Sequence, residues 1–372
     1  MSDTPPTPDQ VEGAPHPRDT IALFGQDKAE TAFLDAFAQD RLHHGWMLAG
    51  PRGIGKATLA WRIARFLLAT PQRDSDGLFG SPPPPATLDI DPEHPIARRI
   101  TSGAEPGLIK ITRSVNPDSG RLRNDIVADD IRKLNRFFGL SATDGGHRVV
   151  IIDSADEMNQ TAANALLKML EEPPDRTTLL LVSHQPSALL PTIRSRCRLL
   201  RLFPLVPEDM ARALNQAGFV LPEDSAALTT LASGSVGNAL RLVGLNGPEL
   251  YQYLIAILAS LPRLDRSRAI ALAEKVAQRK AEAQFAVLRD LIDIAMSRLA
   301  VTGARGMAPV PEAVPGEAEV LSRLSANPSQ ARIWAQTAGD ISARLQHGVA
   351  VNLDPAALVL DTVIKLQKTA AP

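Results

Sequence analysis

A short glycine-rich segment between a strand-like run and a helix-like run constrains the fold of this chain more than any other feature. Residues Gly50–Thr58 read Gly-Pro-Arg-Gly-Ile-Gly-Lys-Ala-Thr, and they follow the apolar run Trp46–Ala49. A helical pattern with Leu59, Ile63 and Phe66 on one face comes next. Glycines let backbone N–H groups converge on an anion, while a lysine and a helix N-terminus add positive charge. The context predicts a phosphate-binding loop (P-loop) rather than an ordinary glycine-rich turn.

The candidate nucleotide-binding residues of this loop are Gly50, Gly53, Gly55, Lys56, Ala57 and Thr58. The position after the lysine normally supplies a hydroxyl to Mg²⁺, and alanine cannot do so. Thr58 lies about 100° further round a helix, which makes it a poor substitute. The sequence therefore predicts a degenerate site that requires no nucleotide, and it leaves open whether ATP or ADP still binds.

An apolar strand that ends in an acidic residue is the second candidate element of the site. Val149–Asp153 is such a run, and an aspartate at this place commonly holds the hydration shell of Mg²⁺. A simple cap at the strand end explains Asp153 equally well. In hydrolysing P-loop proteins the next residue is a glutamate that polarises water, but here it is Ser154, which cannot act as a general base near neutral pH. Glu157 follows three residues later, and we expect it to be presented elsewhere.

Two later segments carry less specific signals. The helical run Asn164–Pro174 has one apolar stripe and ends at two prolines, and its Glu171 and Glu172 are, taken alone, ordinary solvated residues. The segment Ile193–Arg201 holds four arginines. Exposed, ion-pairing arginines are the simpler interpretation, and contact with a phosphate or a neighbouring subunit is the alternative.

The order of apolar runs and helical patterns divides the chain into four parts. Residues 1–18 contain five prolines and few apolar side chains, which predicts a disordered leader. Residues 19–204 alternate short apolar strands with amphipathic helices, which predicts a parallel sheet covered on both faces, with an irregular insertion at about 70–124. Residues 205–247 predict a small three-helix unit, and residues 248–372 an all-α domain. The candidate strands are Trp46–Ala49, Val149–Asp153, Leu179–Ser183 and Leu199–Leu202.

Composition excludes several other classes of protein. The net charge of −1 and an aromatic content of 4% argue against a nucleic-acid-binding module that acts alone. The single cysteine, Cys197, excludes an intramolecular disulfide and a multi-cysteine zinc site. The first residues carry no early positive charge, and no apolar run approaches the ~18 residues that span a bilayer. We therefore expect a cytoplasmic protein that binds neither zinc nor membranes.

Together these elements resemble the bacterial clamp-loader family of AAA+ proteins, whose subunits load the sliding clamp for DNA polymerase III. The most specific signatures are the helix Asn164–Pro174 and the triplet Ser195–Cys197. The resemblance runs from about Ala22 and extends to Val351–Pro355, so it covers most of the chain. It implies a RecA-like AAA+ domain of the α/β P-loop NTPase class, a three-helix lid, and a helical collar that joins a pentamer.

Departures from the family pattern favour its delta-prime branch over the ATP-hydrolysing gamma/tau branch. They are Ala57 in place of the hydroxyl residue, Ser154 in place of the catalytic glutamate, and Gly237 where motor subunits keep a sensor arginine. Family members commonly carry a four-cysteine zinc module after the P-loop helix. Residues 70–124 contain no cysteine, so we expect that module to be absent or to have lost its metal.

The resemblance also implies partners and a role. The partners would be the gamma/tau and delta subunits, the sliding clamp and, through the complex, primed-template DNA. The role would be that of a largely non-hydrolysing subunit of the DNA-directed DNA polymerase holoenzyme. Arg196 is our candidate for an arginine finger that reaches the γ-phosphate bound by an adjacent subunit. The alternative is an autonomous, gamma/tau-like motor that hydrolyses ATP at its own Lys56.

Overall fold

The computed structural model describes residues 8–11, 13–70, 85–139, 146–220, 226–276 and 281–371. The chain divides into two compact units. One comprises Met1–Phe219 with Ser235–Gly237, and the other comprises Val220–Gly234 with Asn238–Pro372. These borders differ from the expected limits of a separate lid at 205–247.

The first unit is built on a parallel sheet. Its strands are β1 (Gly45–Ala49), β2 (Leu108–Ile111), β3 (Arg148–Asp153), β4 (Thr177–Ser183) and β5 (Arg198–Arg201). They lie in the order β2-β3-β4-β1-β5, and every neighbouring pair is parallel. In the register of the central strands, Met47 stands opposite Leu181 on one side and Leu199 on the other. Every residue of β1 and β4 is buried, as the apolar runs in the sequence predict.

Helices cover both faces of this sheet. They are α1 (Asp27–Ala38), α2 (Lys56–Ala69), α3 (Pro95–Ser102), α4 (Ala128–Gly139), α5 (Gln160–Glu171), α6 (Pro191–Arg194) and α7 (Pro207–Gln216). Alternate strand residues such as Val150 and Ile152 pack with α4 and α5 on one face. Helix α2 packs on β1, β3 and β4. Because successive strand residues point to opposite faces, Ile151 and Asp153 lie on the α2 face.

All four candidate strands are confirmed to within two residues at each end, whereas β2 and α3 were not predicted. Both lie in the stretch 70–124, which the sequence analysis treats as irregular; residues 71–84 of it lie outside the described residues. Strand β2 has only four residues, stands at an edge of the sheet, and is interrupted by Lys110. Its apolar signal is therefore too short to separate it from a loop.

The expectation of a disordered leader at 1–18 is wrong for the residues that the structure describes. Residues 1–7 and 12 lie outside the described part, but Asp9 accepts a hydrogen bond from Lys110 Nζ at 2.6 Å and pairs with His16 Nε2 at 2.9 Å. Arg65 of α2 donates to the backbone oxygen of Arg18 at 2.6 Å. These partners are distant in sequence, so the composition of the leader cannot reveal them.

Helix α7, which the sequence assigns to the lid, belongs to the first unit. Its last residue, Gln216, donates from Nε2 to the backbone oxygen of Ala22 at 2.9 Å and accepts from the backbone nitrogen of Ala22 at 3.2 Å. In addition, the guanidinium of Arg212 lies 4.4 Å from the ring centroid of Phe24. The helix is therefore attached to the chain segment that precedes α1.

The described residues after Phe219 form helices joined by loops, with no strand among them. The helices are α8 (Ala226–Ala232), α9 (Val236–Gly244), α10 (Gly247–Ser260), α11 (Arg266–Lys275), α12 (Ala281–Arg305), α13 (Glu317–Leu324), α14 (Pro328–Ala350) and α15 (Pro355–Ala370). Helices α12 and α14 pack against each other. A fully buried carboxylate, Glu317, accepts from Tyr251 at 2.5 Å and from Arg298 Nε at 2.7 Å. Among the described residues, no helix combines the length and apolar character needed to cross a membrane.

Candidate nucleotide-binding site

The glycine-rich loop lies where the sequence predicts it, between the end of β1 and the start of α2. Gly53 and Gly55 have φ values of 73° and 98°, in the left-handed region that favours glycine. Gly50 opens the loop directly after β1, and Ala57 and Thr58 are half-buried in the first turn of α2. The backbone therefore has the strand–loop–helix form of a phosphate cradle.

The lysine of this loop is engaged with the loop itself. Lys56 is 3% exposed, and its Nζ donates to the backbone oxygen of Gly50 at 2.7 Å and to that of Pro51. Burial lowers the pKa of Lys56 to about 8, and the negative charges of Asp153 and Asp156 act in the opposite direction. The Lys56 ammonium group, which would bind a phosphate, is thus bonded to carbonyl oxygens of the loop.

A second segment of the same compact unit rests on the loop. The backbone nitrogen of Gly237 donates to the oxygen of Gly53 at 3.0 Å, and Ser235 Oγ donates to the oxygen of Arg52 at 2.8 Å. A Cβ built on Gly237 would lie 2.9 Å from the Cα of Gly53, which is too close for any side chain. The glycine at 237, where the related motors keep an arginine, is therefore what permits this approach.

The acidic end of β3 forms the other half of the site. Burial raises the pKa of the Asp153 carboxyl to about 6, the charge of Asp9 acts in the same direction, and Lys56 and Lys110 oppose it. Ser154 Oγ donates to Asp153 Oδ1 at 3.3 Å. The charge of Lys56 thus acts on the pKa of Asp153, which is compatible both with a role at Mg²⁺ and with a cap at the strand end.

One member of this cluster was missed by the sequence analysis. His184 follows β4, and its Nε2 lies 2.7 Å from Ser154 Oγ. Burial lowers the pKa of His184 to about 4, so the imidazole is neutral near pH 7. Its backbone nitrogen donates to Asp156 at 2.9 Å. Its position directly after the candidate strand Leu179–Ser183 could have identified His184 as a site residue, because ligands of open α/β sheets bind at the carboxyl ends of strands.

Glu157, the first glutamate after β3, is paired with two arginines. Glu157 Oε1 accepts from Arg52 at 2.8 Å, and Glu157 Oε2 pairs with Arg113 at 2.8 Å. The expectation that Glu157 is presented elsewhere is consistent with these contacts. The residues present fit a phosphate cradle but do not fit a hydrolytic Mg²⁺ site. Position 57 carries no hydroxyl, and the residue after Asp153 carries no carboxylate.

The arginines that precede β5 lie at the opposite end of the strands from the loop. Strands β1 and β5 are parallel with Trp46 opposite Arg198, so Arg196 precedes the N-terminal end of β5, whereas the loop follows the C-terminal end of β1. The two are separated by the length of β1, roughly 15 Å at about 3.3 Å per residue. Arg196 therefore lies far from the loop of its own chain.

The two family signatures contact each other here. Arg196 Nη2 pairs with Glu171 Oε1 at 2.9 Å, and Arg196 Nη1 donates to the oxygen of Thr192 at 3.1 Å. Both charged side chains remain partly exposed, at 36% and 49%. Arg198 instead lies over the ring of Trp46 at 5.2 Å. Glu171, taken from the sequence as a solvated residue, orients Arg196 at the surface.

A parallel sheet of this strand order, with a P-loop between β1 and α2, defines a P-loop NTPase of the AAA+ class. Residues 25–206 match the family model described as "DNA polymerase III, delta subunit". DNA polymerase III subunit delta' of Pseudomonas aeruginosa is 35% identical over 222 residues, which are 59% of this chain and 61% of that protein. Through this segment the chain is similar to the delta-prime subunits of DNA polymerase III.

One further relative and one solved structure are less similar to this chain. DNA polymerase III subunit tau of Escherichia coli is 26% identical over 284 residues, or 74% of this chain and 40% of that protein. The crystal structure of a gamma-subunit-related protein from Thermotoga maritima has a TM-score of 0.41 and 16% identity, covering 91% of this chain and 100% of that one. The chain thus spans about three fifths of the Pseudomonas relative and two fifths of the tau subunit.

Proposed function

We propose that this protein is the delta-prime subunit of a bacterial clamp loader. It would help to load the sliding clamp onto primed DNA, in a complex with the gamma/tau and delta subunits, without hydrolysing ATP itself. The observation that carries the proposal is the combination in one site of a P-loop backbone with the loss of the hydrolytic groups. Ala57 and Ser154 stand where the Mg²⁺ hydroxyl and the water-polarising carboxylate are needed, and Glu157 is held by two arginines.

Arg196 is the residue that would act on a neighbour. It precedes the N-terminal end of β5, away from the loop of its own chain, and its side chain is partly exposed. The ion pair with Glu171 orients its guanidinium. A guanidinium offers a planar set of donors that matches phosphate oxygens, and it stays charged at any working pH. We therefore propose that Arg196 completes an ATP site whose P-loop belongs to the adjacent subunit.

The C-terminal unit would supply the attachment to the ring. It exposes large apolar side chains on and beside α14 and α15: Ile333, Val349, Val351, Leu353 and Ile364. Three of them, Val349, Val351 and Leu353, lie within five residues of one another, and exposed apolar side chains that are close together are typical of a surface that a partner covers. The proposal needs no bound cofactor and no zinc, and it places the protein in the cytoplasm.

The experiment that tests the proposal is co-expression with the tau and delta subunits of the same organism, followed by mass measurement of the purified complex. We expect one copy of this chain in a ring with those subunits. Replacement of Val351 and Leu353 by aspartate should release it, whereas Val310→Asp, at a site 82% exposed in the same unit, should not. A chain that never co-purifies with tau and delta would contradict the proposal.

The rival function, an autonomous motor, is tested on the isolated chain. We expect ATP hydrolysis no faster than that of a Lys56→Ala control, because loss of either hydrolytic group costs orders of magnitude in rate. Steady-state phosphate release clearly above the control would favour the motor.

A further inference from the structure

The leader contains a carboxylate that is buried as deeply as a core residue. The Asp9 side chain is 1% exposed and is held by Lys110 and His16. Burial alone would raise the pKa of Asp9, but the hydrogen bonds and charges of His16 and Lys110 outweigh it and hold that pKa well below its ordinary value. Asp9 is therefore an anion fixed at one place on the sheet.

The anchor that follows it joins the leader to the helix of the P-loop. His16 is 7% exposed, and its ring lies edge-on to Trp61 of α2 with the centroids 5.8 Å apart. Arg65, one turn further along α2, bonds the backbone of Arg18. Contacts of this depth and number are not expected of an incidental tail.

Two described residues of the leader, Asp9 and Val11, lie beside the two halves of the nucleotide site. Lys110 points to the α2 face, because Ile109 and Ile111 pack on the opposite face. Asp153 ends β3 on that same α2 face, and the charges of Asp9 and Lys110 both act on it. The anion of Asp9 thus lies beside the carboxylate at the Mg²⁺ half of the site.

Val11 lies beside the other half of the site, which is formed by the loop and Gly237. Its Cγ2 lies 3.5 Å from a Cβ built on Gly237, the residue whose backbone nitrogen bonds Gly53 of the loop. The turn that follows is closed by a hydrogen bond from the nitrogen of Ala14 to the oxygen of Val11 at 3.0 Å. Asp9 is therefore near Asp153, and Val11, two residues later, is near the residue that bonds Gly53 of the loop.

We propose that residues 8–11 and 13–18 of the leader form an intramolecular cover of the P-loop site, which competes with nucleoside phosphates for that site. The negative charge of Asp9 would repel the negative charge of bound polyphosphates, so binding of the cover and binding of a nucleotide exclude each other. The inference concerns this chain alone and does not depend on membership of a clamp-loader ring. If the cover is open in about a tenth of the molecules or fewer, apparent nucleotide affinity falls by about ten-fold or more.

The test measures binding of fluorescently labelled ADP, with and without Mg²⁺, to the isolated full-length chain and its variants. Deletion of residues 1–11 should raise the affinity about ten-fold or more, and Asp9→Lys should do the same by repelling Lys110. Asp19→Lys is the matched control, since it makes the same charge change in an exposed part of the same region. Thermal melts establish that each variant is folded.

A second measurement locates the leader without any nucleotide. A carbodiimide couples carboxylates to amines in contact, so wild type should yield a peptide cross-link between Asp9 and Lys110. The pair Asp130 and Lys133, whose charged atoms are 2.7 Å apart, serves as the positive control. Cross-linking of the control pair without any product at Asp9 would overturn the proposal. Equal ADP affinity in the wild type and both leader variants, including no binding by any of them, would overturn it as well.

Discussion

Replacement of Asp153 by asparagine should stabilise the protein near neutral pH, although it removes a candidate functional residue. Burial and the charge of Asp9 raise the pKa of this carboxyl from its ordinary value of 3.8 to about 6. A group whose pKa is raised in the folded state binds protons more tightly there, so the folded state loses stability as pH rises through this interval. Asparagine keeps an acceptor for Ser154 Oγ and carries no charge.

The size of the effect follows from the shift. Two pKa units correspond to about 3 kcal/mol at a pH above both values, and about half of that remains at pH 5. The side chain is not fully shielded from water, which reduces the gain toward about 1 kcal/mol. Each 1 kcal/mol moves the unfolding midpoint by about 2–4 °C in a unit of 150–250 residues.

The assay is thermal unfolding of wild type and Asp153→Asn at pH 7.5 and pH 5. The variant should melt higher at pH 7.5, and its advantage should shrink at pH 5. Asp156→Asn is the control, because Asp156 accepts from two backbone N–H groups and its loss should bring no gain. A variant that is less stable than wild type at pH 7.5, or whose advantage does not change with pH, would refute the reasoning.

Three further outcomes are expected. Glu317→Gln should cost about 3–5 kcal/mol because it breaks an ion pair in which Glu317 is fully buried and Arg298 is 14% exposed. An unchanged melt, as expected for the exposed control Glu319→Gln, would argue against this. Gly237→Ala should lower the free energy of unfolding by about 1–3 kcal/mol, because it forces Gly53 to move, whereas Gly244→Ala, with open space around its Cβ, should lower it less. Equal melting points for the two variants would show that Gly53 moves without a measurable cost. Elemental analysis should find no stoichiometric zinc, since the chain has one cysteine and seven histidines, and about one zinc per chain would disprove it.

The parts of the fold that the sequence predicts well are those whose signal is local. The strands of the sheet centre, β1 and β4, are apolar runs in which every residue is buried, so the strand itself carries the signal. Strand β2 escaped prediction because Lys110 breaks a run of only four residues. That same lysine is the distant partner that buries Asp9.

The candidate site also combines residues that local spacing predicts with contacts that depend on distant segments. The glycines, Lys56 and Asp153 were found from spacing, because a P-loop must follow a strand and precede a helix. The bonds of Lys56 to loop oxygens and the contact of Gly237 with Gly53 depend on where later segments pack. The pairing of Glu171 with Arg196 likewise joins segments that neither local pattern connects.

We propose that this chain has no hydrolytic site of its own and supplies Arg196 to a neighbour. The most direct test of this proposal is the clamp-stimulated ATPase rate of assembled complexes that carry Arg196→Ala or, as the control, Arg194→Ala. A finger from another subunit can be worth roughly 10³-fold at its own site, and other sites keep theirs, so the total rate should fall in part. Arg194→Ala should leave the rate nearly unchanged. Equal rates for wild type and Arg196→Ala in a fully assembled complex would contradict the account.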